Sequence, residues 1–305
     1  MERLGRCMLR LDFTYDELGI PPSSALRRRS SVSGVQEKVQ LKLSPKTNRY
    51  EVVDRGGDAI LKPVPRNTVA KLAADIPGNE FLTMQVARKV FGIRTAENHL
   101  VELADGEYAY LTVRFDRRNG LPILQEDFCQ LSGRSSETHG DNYKYDASYE
   151  ELANLMRRFC PAAAVENPKV FFIILFNYVF SNGDAHLKNF SLYQSPQGDF
   201  VLTPAYDLLN TAIHFPNEPS STGLDFFSDG HFTRRYEALG FYSSADFVEL
   251  GACFGVSEAE VVRMLACFPA KAEKVRAMIF ASQLSSEAKR QYLLRFNDRL
   301  KAIAQ

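Results

Sequence analysis

The chain has no excess of charge, no paired-cysteine pattern and no long apolar run, and each lack removes a class of function. Across 305 residues, 37 Lys and Arg stand against 37 Asp and Glu. No overall field therefore favours nucleic acid or a membrane surface, and neither is expected as a direct partner. The five cysteines (Cys7, Cys129, Cys160, Cys253, Cys267) are odd in number, scattered and without a C-x-x-C pair. Neither a zinc site nor a disulfide framework is indicated, and a reducing cytoplasm is the expected compartment. The longest apolar run, Val170 to Phe180, carries Asn177 and is too short to span a bilayer. Met1 to Arg10 holds Glu2, Arg3 and Arg6 and lacks the apolar stretch of a signal peptide. No internal repeat is visible. What is present, 45% hydrophobic and 24% charged residues, belongs to a globular chain with ample core.

Along the chain, residues 1–30 end in Pro21-Pro22-Ser23-Ser24 and Arg27-Arg28-Arg29 and read as a partly flexible entry segment. From Val32 the pattern changes. Val39, Leu41 and Leu43 alternate with polar residues, Tyr50 to Val53 and Ala59 to Val64 follow, and Gly56-Gly57-Asp58 turns between them, all strand signals. Leu82, Val86 and Val90 predict a helix over Asn79 to Phe91 with Gly92 at its end. His99 to Leu103 and Tyr108 to Phe115 predict a hairpin. Beyond Ser132 the polar stretch Ser135 to Asp146 reads as a mobile loop. Helices are then expected at Tyr149–Phe159 and Pro168–Phe180, short strands at Phe190–Tyr193 and Phe200–Leu202, and helices to the end, with Ser257 to Glu260 as a capping box. The fold class is thus α+β and bilobed, a small antiparallel β lobe over 31–128 and a larger helical lobe over 129–305, with the chemistry at their junction.

The chemistry centres on Ser181-Asn182-Gly183-Asp184-Ala185-His186-Leu187-Lys188-Asn189-Phe190. Asp184 and Asn189 have the D-x-x-x-x-N spacing of kinase catalytic loops, in which Asp orients the acceptor hydroxyl and Asn holds a metal. An Asx-turn network around Gly183 has the same spacing. His186 reads equally as a packed loop histidine or as a phosphate contact. Asp207, in Ala205-Tyr206-Asp207 after a strand, occupies the place of a second metal ligand, though D-F-G and A-P-E are both missing. Lys62, one cation in the apolar Ala59-Ile60-Leu61-Lys62, resembles a phosphate-binding lysine, and Glu80 is its natural helical partner. An edge-strand lysine facing water would look the same. Ser31-Val32-Ser33-Gly34-Val35-Gln36-Glu37-Lys38 holds one glycine rather than three, a poor phosphate cradle by pattern. Its small residues can still offer amides to phosphate, which would put Ser31 and Ser33 near the γ-phosphate.

Together these stretches resemble the HipA family of bacterial Ser/Thr protein kinases, the toxins of toxin–antitoxin modules. The matching motifs are Ser33 to Lys38, Asn79-Glu80, Arg114-Phe115-Asp116-Arg117-Arg118, Gln125 to Gln130, Asn182 to Phe190 and Leu202 to Asp207, in family order. The resemblance implies a protein-kinase-like fold and the cofactors ATP and Mg²⁺. Asp184 would be the base, working with Lys62, His186 and Lys188, and Asn189 and Asp207 the Mg²⁺ ligands. Ser33, Gly34, Val35, Gln36, Lys62, Glu80, Glu126, Phe128, His186 and Tyr206 would surround ATP, with Glu126 and Phe128 in the hinge that receives adenine. It further implies autophosphorylation at Ser31 or Ser33. A phosphate there adds nearly two negative charges beside the nucleotide, a physical reason for inactivation.

Full-length HipA proteins carry about a hundred more residues before this core. With Ser31 and Ser33, the short leader is similar to HipT of three-gene HipBST systems. The implied partners are a HipS-like small protein and a HipB-like DNA-binding antitoxin, and the implied substrate is an aminoacyl-tRNA synthetase whose phosphorylation halts translation. Two other readings stand beside it. A small-molecule phosphotransferase of the aminoglycoside- or choline-kinase type shares the Gly-Asp-x-x-x-x-Asn loop, and a catalytically dead antitoxin-binding scaffold would keep the fold alone.

Overall fold

The structure, a computed structural model, describes residues 9–20, 36–66, 68–118, 120–216 and 222–305. Ser31, Ser33, Gly34 and Val35 lie outside the described residues.

The first half forms a six-stranded sheet from β1 (Leu9–Arg10), β2 (Val39–Leu43), β3 (Tyr50–Val53) and β4 (Ala59–Lys62), then, after helix α1 (Ile76–Lys89), β5 (Asn98–Glu102) and β6 (Tyr108–Val113). Their spatial order is β1-β5-β6-β4-β2-β3. Every pairing is antiparallel except β1 on β5, where Leu9 faces Val101. The two-residue period of a strand decides what each face carries. Ala59 and Leu61 of β4 join Leu41, Val101, Ala109 and Leu111 in one apolar layer, so Ile60 and Lys62 turn to the opposite face, where α1 lies and the cleft opens.

Residues 9–20 of the entry segment join the sheet. Leu11 and Leu18 are buried in that same apolar layer, and the Leu11 amide donates to the Glu102 carbonyl at 2.9 Å. Two residues of strand are too few for a periodic signal, so pairing with β5, not local pattern, orders this stretch.

The chain leaves the sheet through the short pair β7 (Arg117–Arg118) and β8 (Leu121–Pro122) and enters β9 (Gln125–Asp127). Then follow α2 (Phe128–Leu131), α3 (Ser136–His139), α4 (Tyr149–Phe159) and α5 (Ala163–Val179). Helix α5 is the spine of the second half, with Phe171, Ile174, Leu175, Phe176 and Val179 buried in the large core. It begins five residues before the expected start at Pro168, because a proline inside the helix forfeits only one backbone hydrogen bond and burial of the flanking turns outweighs it. β10 (Ser191–Gln194) and β11 (Phe200–Leu202) complete a three-stranded sheet in the order β11-β10-β9. The end of the chain is helical: α6 (Arg234–Leu239), α7 (Ser244–Cys253), α8 (Glu258–Ala270), α9 (Ala272–Ala281) and α10 (Ser286–Ile303). Ser257 caps α8 by accepting from the Glu260 amide. Among the described residues no helix is long and apolar enough to cross a membrane.

A buried polar clamp fixes α1 to the helical half. Asn79 Nδ2 donates to the Asn210 carbonyl and to His214 Nε2, both at 2.8 Å, and its Oδ1 accepts from the Asn210 amide at 3.0 Å. The Lys71 carbonyl, 2.8 Å from His214 Nδ1, assigns the proton to that nitrogen and leaves Nε2 as acceptor. Burial pushes His214 down to about 4, because a charged ring would lose its hydration and oppose the Asn79 amide. A base with a depressed folded value stays neutral while the unfolded chain takes up a proton below about 6.5. Stability is therefore lost as pH falls from 6.5 towards 4, by roughly 3 kcal/mol for this group. Urea unfolding at pH 7 and pH 4.5 should show this loss in the natural chain and a smaller one in His214→Gln. Equal losses would remove His214 as a source.

Candidate active site

Between the two halves lies a cleft of about 470 Å³. Ile60, Lys62, Val113 and Arg114 come from the sheet side, Gln125, Asp127 and Gln130 from the connection, and His186, Lys188, Asn189, Tyr206 and Asp207 from the helical side. Asp141, Tyr143 and Lys144 close one end.

The electrostatic centre is Lys62, 4% exposed and facing Glu80, which is 1% exposed. Its Nζ donates to Glu80 Oε1 at 2.6 Å and to Asp207 Oδ1, and sits 5.4 Å from the centre of the Tyr110 ring. Desolvation alone would lower the ammonium's pKa, and the two carboxylates overcome it, so Lys62 stays charged. Burial pushes Glu80 up to about 7 against the pull of Lys62. For Asp207 burial works upward too, but Lys62 outweighs it and holds the carboxyl well below the usual range. One cation between two carboxylates leaves the site able to take further positive charge.

Asp207 is presented by an uncommon backbone. Its φ is 55°, a left-handed conformation that Asp tolerates better than most residues, and Asn182 Nδ2 holds its carbonyl at 3.2 Å. Strain of this kind persists where the surroundings over-determine it. Asn189 Nδ2 stands 3.4 Å from Asp207 Oδ2, and its Oδ1 accepts from the His186 amide at 3.0 Å. The loop thus folds back on itself to set Asn189 beside Asp207.

Asp184 lies just under this surface, 6% exposed and off the cleft lining. Its amide is 3.3 Å from Asn182 Oδ1, and its Oδ1 accepts from the Tyr145 hydroxyl. His186 is buried, neither ring nitrogen has a hydrogen-bond partner among the described residues, and burial, then Lys144, pushes it down to about 3. It is a neutral ring at the cleft wall with unspent hydrogen-bonding capacity. Lys188 Nζ lies 3.4 Å from the Tyr143 hydroxyl. Tyr206 donates to the Lys188 carbonyl at 2.8 Å and packs its ring 5.7 Å from that of Phe115.

The structure therefore brings together Lys62, Glu80, Asp184, His186, Lys188, Asn189, Tyr206 and Asp207. Three expected residues present no side chain to the cleft. Phe128 is fully buried in the core and its amide donates to the Phe190 carbonyl at 3.1 Å. Glu126 pairs with Leu192 of β10 and alternates out of the lining, so the connection presents the side chains of Gln125 and Asp127 instead. Gln36 is buried and absent from the lining, which takes Lys38 from the same segment.

The stretch expected to be a mobile loop is built of a short helix and turns and adds residues to the site. Ser135 and Thr138 form a reciprocal capping box on α3. The Leu187 amide then donates to the Lys144 carbonyl at 3.2 Å, tying the stretch to the Asp184 loop. Tyr143, Lys144 and Tyr145 were hidden by their polar neighbours. Their signal was three adjacent aromatic and cationic residues inside a polar segment. Arg114 joins them at the cleft, holding Asp116 through Nε at 2.9 Å and Nη2 at 2.5 Å.

A twisted sheet with one helix, a buried Lys–Glu pair, a connecting strand and a helical half bearing the Asp-Asn loop define the protein-kinase-like fold. The HipA-like C-terminal domain profile matches residues 30–276, and the chain belongs to that family. It is 28% identical over 253 residues to a Haemophilus influenzae protein named "Putative kinase", covering 77% of this chain and 70% of that one. It is 32% identical over 203 residues to the Serine/threonine-protein kinase toxin HipA of Shewanella oneidensis, covering 61% of this chain and 44% of that protein. Shewanella HipA, solved with HipB and operator DNA, superposes with a TM-score of 0.67 at 23% identity over 90% of this chain and 65% of that one. The Helicobacter pylori proinflammatory kinase CtkA superposes at 0.54 and 13% identity, covering 80% of this chain and 87% of that one. These two likenesses bear on the fold alone.

Proposed function

We propose that the chain is an ATP- and Mg²⁺-dependent Ser/Thr protein kinase acting as a toxin. The observation that carries this is the buried Lys62 shared by Glu80 and Asp207 with Asn189 alongside, set in a cleft large enough for a nucleotide. Asp207 offers carboxylate oxygens to the cleft, and a turn of the Asn189 carboxamide, whose Nδ2 faces Asp207, would add its oxygen. That suits Mg²⁺, which keeps several waters and binds through one or two carboxylates plus substrate phosphates. When bound, the ion neutralises charge on the transferring phosphoryl group. Lys62 would contact the nucleotide phosphates, Asp184 would orient the acceptor hydroxyl, and His186 would donate its single N–H to phosphate. Lys38, Lys62, Arg114, Lys144 and Lys188 line the cleft against Asp116, Asp127, Asp141 and Asp207. This balance suits an anionic nucleotide and an uncharged hydroxyl better than the polycationic acceptors of aminoglycoside kinases.

An aminoacyl-tRNA synthetase is the proposed substrate, Ser31 and Ser33 the proposed self-phosphorylation sites, and HipB-like and HipS-like proteins the proposed partners. The HipB complex of the Shewanella relative supports the first partner, and the Ser31-Val32-Ser33 pattern is the support for the second. Purified protein incubated with ATP·Mg²⁺ and a cell extract, followed by phosphoamino-acid analysis and mass spectrometry, tests the reading. Phosphoserine or phosphothreonine on a synthetase, and on Ser31 or Ser33 of the chain itself, is expected. Label confined to small molecules would transfer the assignment to a small-molecule phosphotransferase.

A further inference from the structure

The proposed base already has a hydroxyl on it. Tyr145 donates its phenolic O–H to Oδ1 of Asp184, and its ring stands edge-on to His186 with centroids 5.1 Å apart. The segment carrying it, 140–147, is built from turns: the Tyr143 amide bonds the Gly140 carbonyl at 3.2 Å and the Tyr145 amide the Asn142 carbonyl at 2.8 Å. Among the described residues it meets the neighbouring loop through the Leu187–Lys144 backbone bond at 3.2 Å, the Lys188–Tyr143 contact and Tyr145 itself, while Tyr143 and Ala147 pack against the main core.

A hydroxyl donating to the carboxylate of a general base is the arrangement an acceptor serine or threonine must reach before transfer. We propose that Tyr145 stands in the acceptor position on Asp184, and that an acceptor reaches Oδ1 of the base by displacing it. This rests on the kinase reading and deepens it. The selectivity follows from what each competitor brings. Water or a small alcohol offers a hydrogen bond in place of the one it breaks and gains little by entering. A polypeptide adds contacts along the cleft that offset moving the Tyr145 side chain, so closure against water and preference for protein acceptors arise from one residue.

Tyr145→Phe keeps the ring against His186 and removes only the hydroxyl. It should raise acceptor-independent ATP hydrolysis about tenfold and lower the acceptor KM by a similar factor, the effect of releasing one charge-assisted hydrogen bond. ATP·Mg²⁺ affinity measured by calorimetry should not change. Tyr145→Ala, which also removes the ring, should exceed Tyr145→Phe in both. A fall in kcat at unchanged KM would overturn the proposal by making Tyr145 a helper of the base, as would phosphate on Tyr145 itself or no change in either constant. If neither the natural chain nor the variant transfers phosphate to any acceptor, the kinase reading fails. The tether is then judged by hydrogen–deuterium exchange of residues 140–147: faster exchange in Tyr145→Phe supports it and unchanged exchange overturns it.

Discussion

Lys62→Met is expected to destabilise the fold by roughly 3–5 kcal/mol and to abolish measurable ATP binding. Removing one member of a buried ion cluster leaves the others charged without a partner, which costs more than the pair itself contributes. Here two carboxylates are stranded. The side chain of Asp207 is 21% exposed and can recover some solvation, whereas Glu80 is closed off and its Oε2 has no hydrogen-bond partner among the described residues. Glu80 already sits near 7 with the lysine present, so without it the carboxyl will take up a proton. An acid whose folded value is raised stabilises below its unfolded value, near 4.5, and that contribution is lost as pH rises through the folded value. The defect in Lys62→Met should thus be larger at pH 8 than at pH 5.5, and Glu80→Gln in the same background should restore part of it at pH 8. Denaturant unfolding of the three proteins at both pH values measures this. A single variant as stable as the natural chain at pH 8 would mean that Lys62 is not holding two charges.

What the sequence made legible follows from where burial and period coincide. In β4 the alternation that sends Ala59 and Leu61 into the core also obliges Lys62 to face the other way, so its direction could be read from four letters. Glu80 was readable because α1 has a clear apolar stripe and only one acid near its start. Asp184, Asn189 and Asp207 stood out as polar residues immediately after buried elements. The connection was less legible for the opposite reason. Gln125, Glu126 and Asp127 are all polar and all half-buried, so no hydrophobic period indicates which faces the cleft. Pairing with β10, where Glu126 meets Leu192, decides it. Tyr145 was lost in the same way. No hydrophobic period marks it, and its partner Asp184 lies thirty-nine positions ahead. The clamp of Asn79 on Asn210 and His214 is likewise a long-range contact. Long-range polar pairing leaves no periodic trace, whereas one-sided burial does.

The largest effect on turnover is expected from Asp184→Asn. Loss of a positioned general base lowers the transfer rate by about 10²–10⁴-fold, and the fold should survive. Tyr145 can still donate to the new amide's oxygen, and the Asp184 amide keeps its contact with Asn182 Oδ1 at 3.3 Å. Because Asp184 lies off the cleft lining and outside the Lys62–Glu80–Asp207 cluster, ATP·Mg²⁺ affinity should remain close to that of the natural chain. Asp207→Asn makes the contrast. It removes a partner of Lys62 together with the proposed ion's carboxylate, so nucleotide affinity and turnover should fall together. Calorimetric ATP·Mg²⁺ titration of both variants, paired with initial rates on a protein acceptor, separates the two roles. If Asp184→Asn loses nucleotide affinity as severely as Asp207→Asn, then Asp184 belongs to the metal side of the site and the acceptor hydroxyl must be oriented by another group.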